Sequence, residues 1–209
     1  MNRRHTRLIV LAVMAIVVAS TAACAPQELT EEEVFEQEIA DLHTRAEQGE
    51  AAAQVELGNA YQFGVRVPMD GAEAVWWFRL AADQGDADGQ VRLGFIYELG
   101  LGVPQDSAEA ERLYRLAADQ DYAEGQYYLG AMYAKENGDG VPEDDVEAVR
   151  WYRLAADQDY AAAQYDLGSM YESGVGVPED DVEAVRWYRL AAEQGDSNAQ
   201  GNLDSMYNA

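Results

Sequence analysis

The sequence predicts an all-α protein, a solenoid of about four helix-pair repeats with capping helices at its ends. Three observations predict it: a unit of about 36 residues recurs, apolar residues within each unit follow helical spacing, and N-cap signals mark helix starts. The clearest recurrence is GVPEDDVEAVRWYRLAA, which occupies 140–156 and again 176–192. One helix pair cannot bury its apolar face alone, whereas a stack of pairs can, so the repetition indicates a solenoid.

The N-terminus is interpreted as an export signal. Arg3, Arg4 and Arg7 precede an apolar run at 8–19. That run has the length of a signal-peptide core and is short for a membrane span of about 20 residues. Residues 1–23 are therefore predicted to be a signal peptide.

The only cysteine, Cys24, follows small residues in a pattern that resembles a bacterial lipobox, with Thr21 where Leu is commonest. The resemblance implies that Cys24 is lipidated and that 24–30 is a lipidated tether to the bacterial membrane. Ala25, in place of Asp, favours the periplasmic face of the outer membrane. The alternative is a soluble periplasmic or secreted protein with a free thiol, which is unusual for an exported chain.

The charge is strongly acidic, with 39 Asp and Glu against 14 Lys and Arg and a net charge of −25. A surface of this sign repels phosphates, which excludes nucleic acid as a partner class. It leaves open a cationic partner, divalent ions or simple solvation. The near absence of lysine also suits a high-salt habitat.

The first structural element is predicted to be an N-terminal capping helix at 31–50. Thr30 and Glu33 form a capping box at its start. Its apolar face is predicted to consist of Phe35, Ile39, Leu42 and Ala46.

A glutamine marks the register of each following unit, at Gln54, Gln90, Gln126, Gln164 and Gln200. The spacings are equal except in the third unit, where AKENGDG adds two residues. The predicted units are repeat 1 (51–86), repeat 2 (87–122), repeat 3 (123–160), repeat 4 (161–196) and a C-terminal half repeat (197–209).

The first helix of each repeat has an apolar face, which in repeat 1 comprises Ala53, Leu57, Ala60 and Tyr61. A glycine interrupts this helix at Gly58. Glycine costs about 1 kcal/mol in a helix interior, so its recurrence predicts a close helix–helix approach. It recurs at Gly94, Gly130 and Gly168.

The second helix is announced by an aspartate version of the capping box. The pairs are Asp70/Glu73, Asp106/Glu109, Asp144/Glu147 and Asp180/Glu183. Behind each cap an aromatic stripe such as Trp77 and Phe78 recurs at helical spacing. We predict that this stripe is core rather than a cofactor site.

The repeated pattern, A-x-A-Q-x-x-L-G-x-x-Y-x-x-G-x-G-V-P-x-D-x-x-x-A-x-x-W-Y-x-x-A-A-x-Q-G, resembles the Sel-one-like repeat, a relative of the tetratricopeptide repeat. The resemblance covers about 40–209 and implies a right-handed α/α superhelical solenoid. Three positions depart from the pattern. Arg66 stands where glycine is expected. Asp121 and Asp159 stand where the other copies have glycine, which predicts either an unusual backbone conformation at both aspartates or a different turn.

The sequence shows no catalytic constellation and predicts no catalytic residue, metal or cofactor. His43, on the capping helix, is interpreted as structural or as a surface residue. The acidic triplets at 143–145 and 179–181 contain the helix caps, and the ENGDG segment at 136–140 lacks the spacing of a calcium loop. The hydrolase activities described for some members of the resembled family accompany disulfide-rich repeats, so the single cysteine argues against carrying them over.

The resemblance implies that the first helices line a concave binding face. Their non-core positions vary among copies, while the framework is kept. They are Val55, Glu56, Asn59 and Gln62; Val91, Arg92, Phe95 and Glu98; Tyr127, Tyr128 and Ala131; and Tyr165, Asp166, Ser169 and Glu172. Exposed aromatics beside an arginine are typical interface anchors. The predicted partner-binding residues are Arg92, Phe95, Tyr127, Tyr128 and Tyr165.

The leading hypothesis is a non-enzymatic adaptor of the bacterial envelope that binds a protein or peptide. One alternative is a hydrolase of cell-wall material or of the β-lactam ring, and another is a salt-adapted structural surface lipoprotein. The sequence leaves the oligomeric state open.

Overall fold

The computed structural model describes residues 30–134 and 142–208, and within these ranges it contains ten α-helices and no strand. The predicted all-α class is confirmed. The predicted signal peptide and Cys24 lie outside the described residues, as does the ENGDG segment. In chain order the helices are α1 (Glu31–Glu47), α2 (Ala51–Phe63), α3 (Gly71–Asp83), α4 (Ala87–Leu99), α5 (Ser107–Ala118), α6 (Ala123–Tyr133), α7 (Asp145–Ala156), α8 (Ala161–Ser173), α9 (Asp181–Glu193) and α10 (Ser197–Asn208).

The helices stack in chain order. Four pairs form, α2 with α3, α4 with α5, α6 with α7 and α8 with α9, and each second helix packs on the next first helix. α1 packs on α2 and α10 packs on α9, so these single helices cover the ends of the stack. First helices also contact each other, α2 with α4 and α4 with α6. We call the surface shared by α2, α4, α6, α8 and α10 the first-helix face.

A glycine in each first helix allows the two helices of a repeat to pack closely. A Cβ added to Gly58 would lie 2.6 Å from Cε1 of the Phe78 ring, closer than real Cβ atoms come. The predicted close approach is confirmed, and its cause is the second-helix ring that lies directly on the first-helix backbone. The later repeats show the same relationship at 2.8 Å, in Gly94–Tyr114, Gly130–Tyr152 and Gly168–Tyr188.

The register glutamines are buried hydrogen-bonding residues. Gln54 is 3% exposed; its Nε2 donates to the carbonyl oxygen of Ala46 at 3.0 Å, and its Oε1 accepts from Nε2 of Gln84 at 2.7 Å. One side-chain amide therefore joins the end of α1 to the end of α3. The amide-to-amide bond recurs in Gln120–Gln90 (2.9 Å), Gln158–Gln126 (2.8 Å) and Gln194–Gln164 (2.8 Å).

The aspartate caps form as predicted, but the capping box is complete only at α1 among the described helices. Thr30 and Glu33 bond reciprocally there, at 3.2 and 2.9 Å. At α5, Asp106 accepts from the backbone N–H of Glu109 at 3.0 Å, whereas the Glu109 carboxylate pairs with Arg112 instead of reaching back. An arginine one turn along the helix is a stronger partner than a backbone N–H. The same exchange occurs in α7 and α9. The ion pairs are Glu109–Arg112 (2.7 Å), Glu147–Arg150 (2.9 Å) and Glu183–Arg186 (3.0 Å).

Three described residues other than glycine have a left-handed backbone: Arg66 with φ 65°, Asp121 with φ 60° and Asp159 with φ 62°. The unusual conformation predicted at the two aspartates is confirmed. Both residues lie at the turn that follows a second helix, where Gly85 has φ 86°. Aspartate tolerates this region better than most residues.

The aromatic stripe of the second helices is core, as predicted. Phe78, Tyr114 and Tyr188 are 0% exposed. Val55 and Val91, which the sequence analysis placed among the varied surface positions, are also buried, in two of the hydrophobic clusters between helices. Both pack in core clusters with residues of the second helices, so fewer of the varied positions are exposed than predicted.

The predicted apolar face of α1 is correct in its second half only. Leu42 and Ala46 are buried and Ile39 packs against them. Phe35 is 48% exposed and lies under the guanidinium of Arg66, 5.0 Å from the ring centroid. The N-terminal turns of α1 extend past the stack, and this cation–π contact takes the place of core packing.

Candidate binding site

Three of the predicted partner-binding residues meet on the first-helix face. Tyr128 of α6 lies against Phe95 of α4, with ring centroids 6.1 Å apart, and against Tyr127 at 5.4 Å. We call Phe95, Tyr127 and Tyr128 the aromatic cluster. Arg92, one turn before Phe95 on α4, acts electrostatically on the Tyr128 hydroxyl. The structure therefore brings Arg92 and the aromatic cluster together across two neighbouring repeats.

The aromatic cluster rests on rings of the second helices. Tyr128 stacks on Tyr114, with centroids 5.1 Å apart and an interplanar angle of 13°. Tyr127 lies 5.7 Å from Tyr152 and 5.1 Å from Tyr160, the N-cap residue of α8. The cluster is half-buried rather than exposed as predicted, because these rings lean onto the second helix of the preceding or the same repeat. Rings held in this way have less conformational freedom to lose on binding than free side chains.

Tyr165 does not join the aromatic cluster. It packs instead on Tyr188 of α9, with ring centroids 5.7 Å apart. The Tyr188 hydroxyl in turn donates to Oε2 of Glu172 at 2.6 Å. Tyr165 therefore makes a separate ring contact within repeat 4.

Arg92, predicted as an anchor for a partner, is held in an internal ion pair. Its Nε donates to Oδ1 of Asp88 at 2.9 Å, and its Nη1 lies 3.4 Å from Oε1 of Glu124 on α6. Burial lowers the pKa of Arg92, but the two carboxylates outweigh it and the pKa is raised. Burial also raises the pKa of Glu124, to which the Tyr122 hydroxyl donates at 3.3 Å. Arg92 thus links repeats 2 and 3 as a partly covered cation.

Asp166 of α8 is the carboxylate that sequence reasoning did not select. Its pKa is raised to about 6: burial is the main cause, a hydrogen bond from the Tyr127 hydroxyl opposes the shift, and the charge of Asp196 adds to it. Asp166 stands two residues after the register glutamine, the position that Arg92 has in repeat 2. The sequence marks it as a varied position. Asp166 is desolvated by residues on other helices, so the sequence around it does not reveal its burial.

The chemistry of this surface is that of aromatic rings and carboxylates. In 30–134 and 142–208, no group of three or more His, Cys, Asp or Glu is arranged to hold a metal.

The one described histidine, His43, lies on α1, where its Nε2 is 3.3 Å from the Tyr61 hydroxyl and its ring contacts Trp77. In the described part of the chain, no helix is long and apolar enough to cross a bilayer.

The stacked helix pairs define an α-solenoid repeat protein. A family model described as the Sel1 repeat matches residues 51–86, 87–122, 123–160 and 161–196. The chain belongs to the Sel1 repeat family, which confirms the resemblance inferred from the motifs. Proteins of this family are generally non-catalytic scaffolds for protein–protein interactions. A comparison with curated proteins found no match.

Solved structures show the same fold. A protective antigen with an SLR fold from uropathogenic Escherichia coli is 43% identical, with a TM-score of 0.74; the match covers 83% of this chain but only 36% of the antigen. A Sel1 repeat protein from Oxalobacter formigenes is 31% identical, with a TM-score of 0.75 over 84% of this chain and 73% of that one. Cysteine rich protein B of Helicobacter pylori is 21% identical, with a TM-score of 0.52 over 65% of this chain and 96% of its own, and supports the fold alone.

Proposed function

We propose that the protein is a lipid-anchored adaptor of the bacterial envelope that binds a protein or peptide on the first-helix face. The scaffold role of the family supports binding as its function. The N-terminal signal and the lipobox pattern around Cys24 support the location. The direct contacts of α2 with α4 and of α4 with α6 support this face as the concave side, because elements inside a curved stack lie closest together.

The observation that carries the proposal is the aromatic cluster. Phe95, Tyr127 and Tyr128 form a continuous surface across α4 and α6, supported from beneath by Tyr114 and Tyr152. Tyrosines held between a packed core and solvent are frequent energetic centres of protein interfaces. A hydrolase would place a nucleophile and its base within hydrogen-bond reach, whereas this surface presents rings and acids that serve recognition.

Site-specific crosslinking tests the proposal. A photo-crosslinking phenylalanine analogue replaces Phe95 in the full-length protein in cells, and a matched analogue replaces Val182, which is 79% exposed on the second helix α9. We expect a discrete crosslinked partner from position 95 and not from position 182. Adding Tyr128→Ala should abolish that crosslink while the circular dichroism spectrum shows a folded helical protein.

Two results would count against the proposal. The same neighbours at positions 95 and 182 would mean that the first-helix face has no privileged role. No partner at position 95 would favour a salt-adapted surface lipoprotein whose acidic side chains serve solvation alone.

A further inference from the structure

We propose that the partner presents a basic segment, one arginine or lysine of which pairs with Asp166 beside Tyr127 on the first-helix face. The inference rests on the proposed function, since it names the chemistry of the partner that this face binds. It concerns α6, α8 and the residues that precede α10.

The protein contains an internal example of a cation on this face. In repeat 2 the Arg92 guanidinium lies between Asp88 and Glu124. The positive charge of Arg92 acts to lower the pKa of the Tyr122 and Tyr128 hydroxyls, which lie near it. The first-helix face can therefore hold a guanidinium between carboxylates and tyrosines.

Two repeats later the same repeat position bears the opposite charge. Asp166 replaces the arginine, and the groups that face it are Tyr127 of α6, Tyr152 of α7 and Asp196. Asp196 is itself fixed as the cap of α10, where it accepts from the backbone N–H groups of Asn198 and Ala199, each at 2.9 Å. Tyr127 donates a hydrogen bond to Asp166, while the remaining charged neighbour is a second carboxylate.

This arrangement raises the free energy of the charged form of Asp166, and a neighbouring cation would lower it. Burial and Asp196 both act against its ionisation. A guanidinium or ammonium placed between Asp166 and Asp196 would supply the charge that Arg92 supplies in repeat 2. The overall charge of −25 would attract a basic segment from a distance.

The tyrosines favour a basic side chain over a metal ion. Tyr127, Tyr128 and Tyr160 form contiguous ring surface next to Asp166, with centroids 5.1 to 5.4 Å apart. An arginine or lysine packs its aliphatic stem and its cationic head against such rings. A divalent cation needs several oxygen ligands instead, and the described residues contain no group of three acids or histidines placed to provide them.

Peptide selection followed by affinity measurement tests the inference. Random dodecapeptides displayed on phage are selected on the purified full-length protein, and the recovered peptides are titrated by fluorescence anisotropy at pH 7.5. We expect them to be enriched in arginine and lysine. We also expect Asp166→Asn to weaken binding about tenfold or more, as loss of a charge-assisted pair does. Glu193→Gln, the same change of charge at an exposed site of α9, should leave the affinity unchanged.

The outcomes separate the inference from the proposed function. Peptides that require Tyr128 but contain no basic residue, or that bind Asp166→Asn equally well, would overturn the inference and leave the proposed function standing. Failure to recover any peptide sensitive to Tyr128→Ala would count against both. Calcium chloride serves as a second probe: a calcium-dependent rise in Tm that disappears in Asp166→Asn would assign these carboxylates to a metal ion and overturn the basic segment.

Discussion

Arg79 donates a guanidinium hydrogen bond to the hydroxyl oxygen of Tyr97, 2.8 Å away, and thereby joins the second helix of repeat 1 to the first helix of repeat 2. The two residues are 18 positions apart, and the relationship recurs at each later junction. The equivalent pairs are Arg115–Tyr133, Arg153–Tyr171 and Arg189–Tyr207. One polar contact is therefore repeated along the stack, in addition to the buried glutamine bonds.

The Arg79–Tyr97 contact should contribute modestly to stability because it lies near solvent. We expect a double-mutant cycle of Arg79→Met and Tyr97→Phe to give a coupling energy of about 0.5–1 kcal/mol. The free energy of unfolding in urea measures it. Strictly additive single mutants would show that the contact contributes nothing.

Gly94 should not tolerate a side chain. Its Cβ would lie 2.8 Å from Cε1 of Tyr114, a ring with no room to move. We expect Gly94→Ala to cost about 1–3 kcal/mol through overpacking. Gly201→Ala is the matched control, because Gly201 also lies within a helix, but apart from its chain neighbours and its own helix backbone no atom lies within 4 Å of its added Cβ. The control should stabilise the protein by up to about 1 kcal/mol, and a similar loss in both variants would contradict the close-packing argument.

Gln164 should be important for stability although it is polar. It is 0% exposed, its Nε2 donates to the carbonyl oxygen of Ala156 at 3.1 Å, and its Oε1 accepts from Gln194. Gln164→Leu removes both hydrogen bonds and leaves the Ala156 carbonyl only its bond from the Asp159 backbone N–H, and we expect a loss of about 1–3 kcal/mol in urea unfolding. Gln200 occupies the same repeat position but is exposed and bonds to Asp204. Gln200→Leu should change stability by no more than about 0.5 kcal/mol.

Asp166 should make stability depend on pH between about 4 and 6. Its pKa in the folded protein is about 6, above the ordinary value of 3.8, so the folded state binds this proton more tightly than the unfolded state. The contribution of Asp166 to stability is therefore greatest at low pH and is lost as pH rises through about 6. Asp166→Asn should raise the free energy of unfolding at pH 7.5, by up to roughly 3 kcal/mol, and should have little effect below pH 4.

Unfolding in urea at pH 4, 5, 6 and 7.5 measures this dependence for wild type, Asp166→Asn and Glu193→Gln. Because residue 193 is exposed, Glu193→Gln should show the same dependence of unfolding free energy on pH as wild type. A variant at Asp166 whose profile remains parallel to that of wild type would show that this carboxyl is not desolvated. A stabilised Asp166→Asn would also show that any loss of peptide binding does not come from misfolding.

Cys24 should determine where the protein resides. If the lipobox interpretation is correct, wild type incorporates a labelled fatty acid and fractionates with membranes, whereas Cys24→Ser incorporates none. Because the variant would lack the acyl chain, we expect it to leave the membrane fraction. Labelling of both proteins, or of neither, would contradict the lipid anchor.

The repeated helix pairs were predictable because their signals are local. Asp70 caps α3 through its own neighbours, and Gly58 meets a ring only 20 positions along the chain. The reciprocal capping box did not form at Glu109, whose carboxylate pairs with Arg112 three residues away, nor at Glu73, which has no arginine at that spacing. The sequence showed that the register glutamines recur at a regular spacing. It did not show that they join successive second helices by hydrogen bonds.

The sequence by itself determined the number of helices, their pairing and the close approach within each repeat, because residues within one unit of about 36 positions decide all three. Tertiary structure alone decided that Arg92 is already paired with Glu124, that the aromatic cluster is half-buried, and that Asp166 is desolvated beside Asp196. These properties depend on partners on other helices, some in the same repeat and some in the adjoining one. The solvent exposure and the electrostatic environment of a side chain depend on all of its neighbours in space. A repeat pattern gives only its neighbours along the chain.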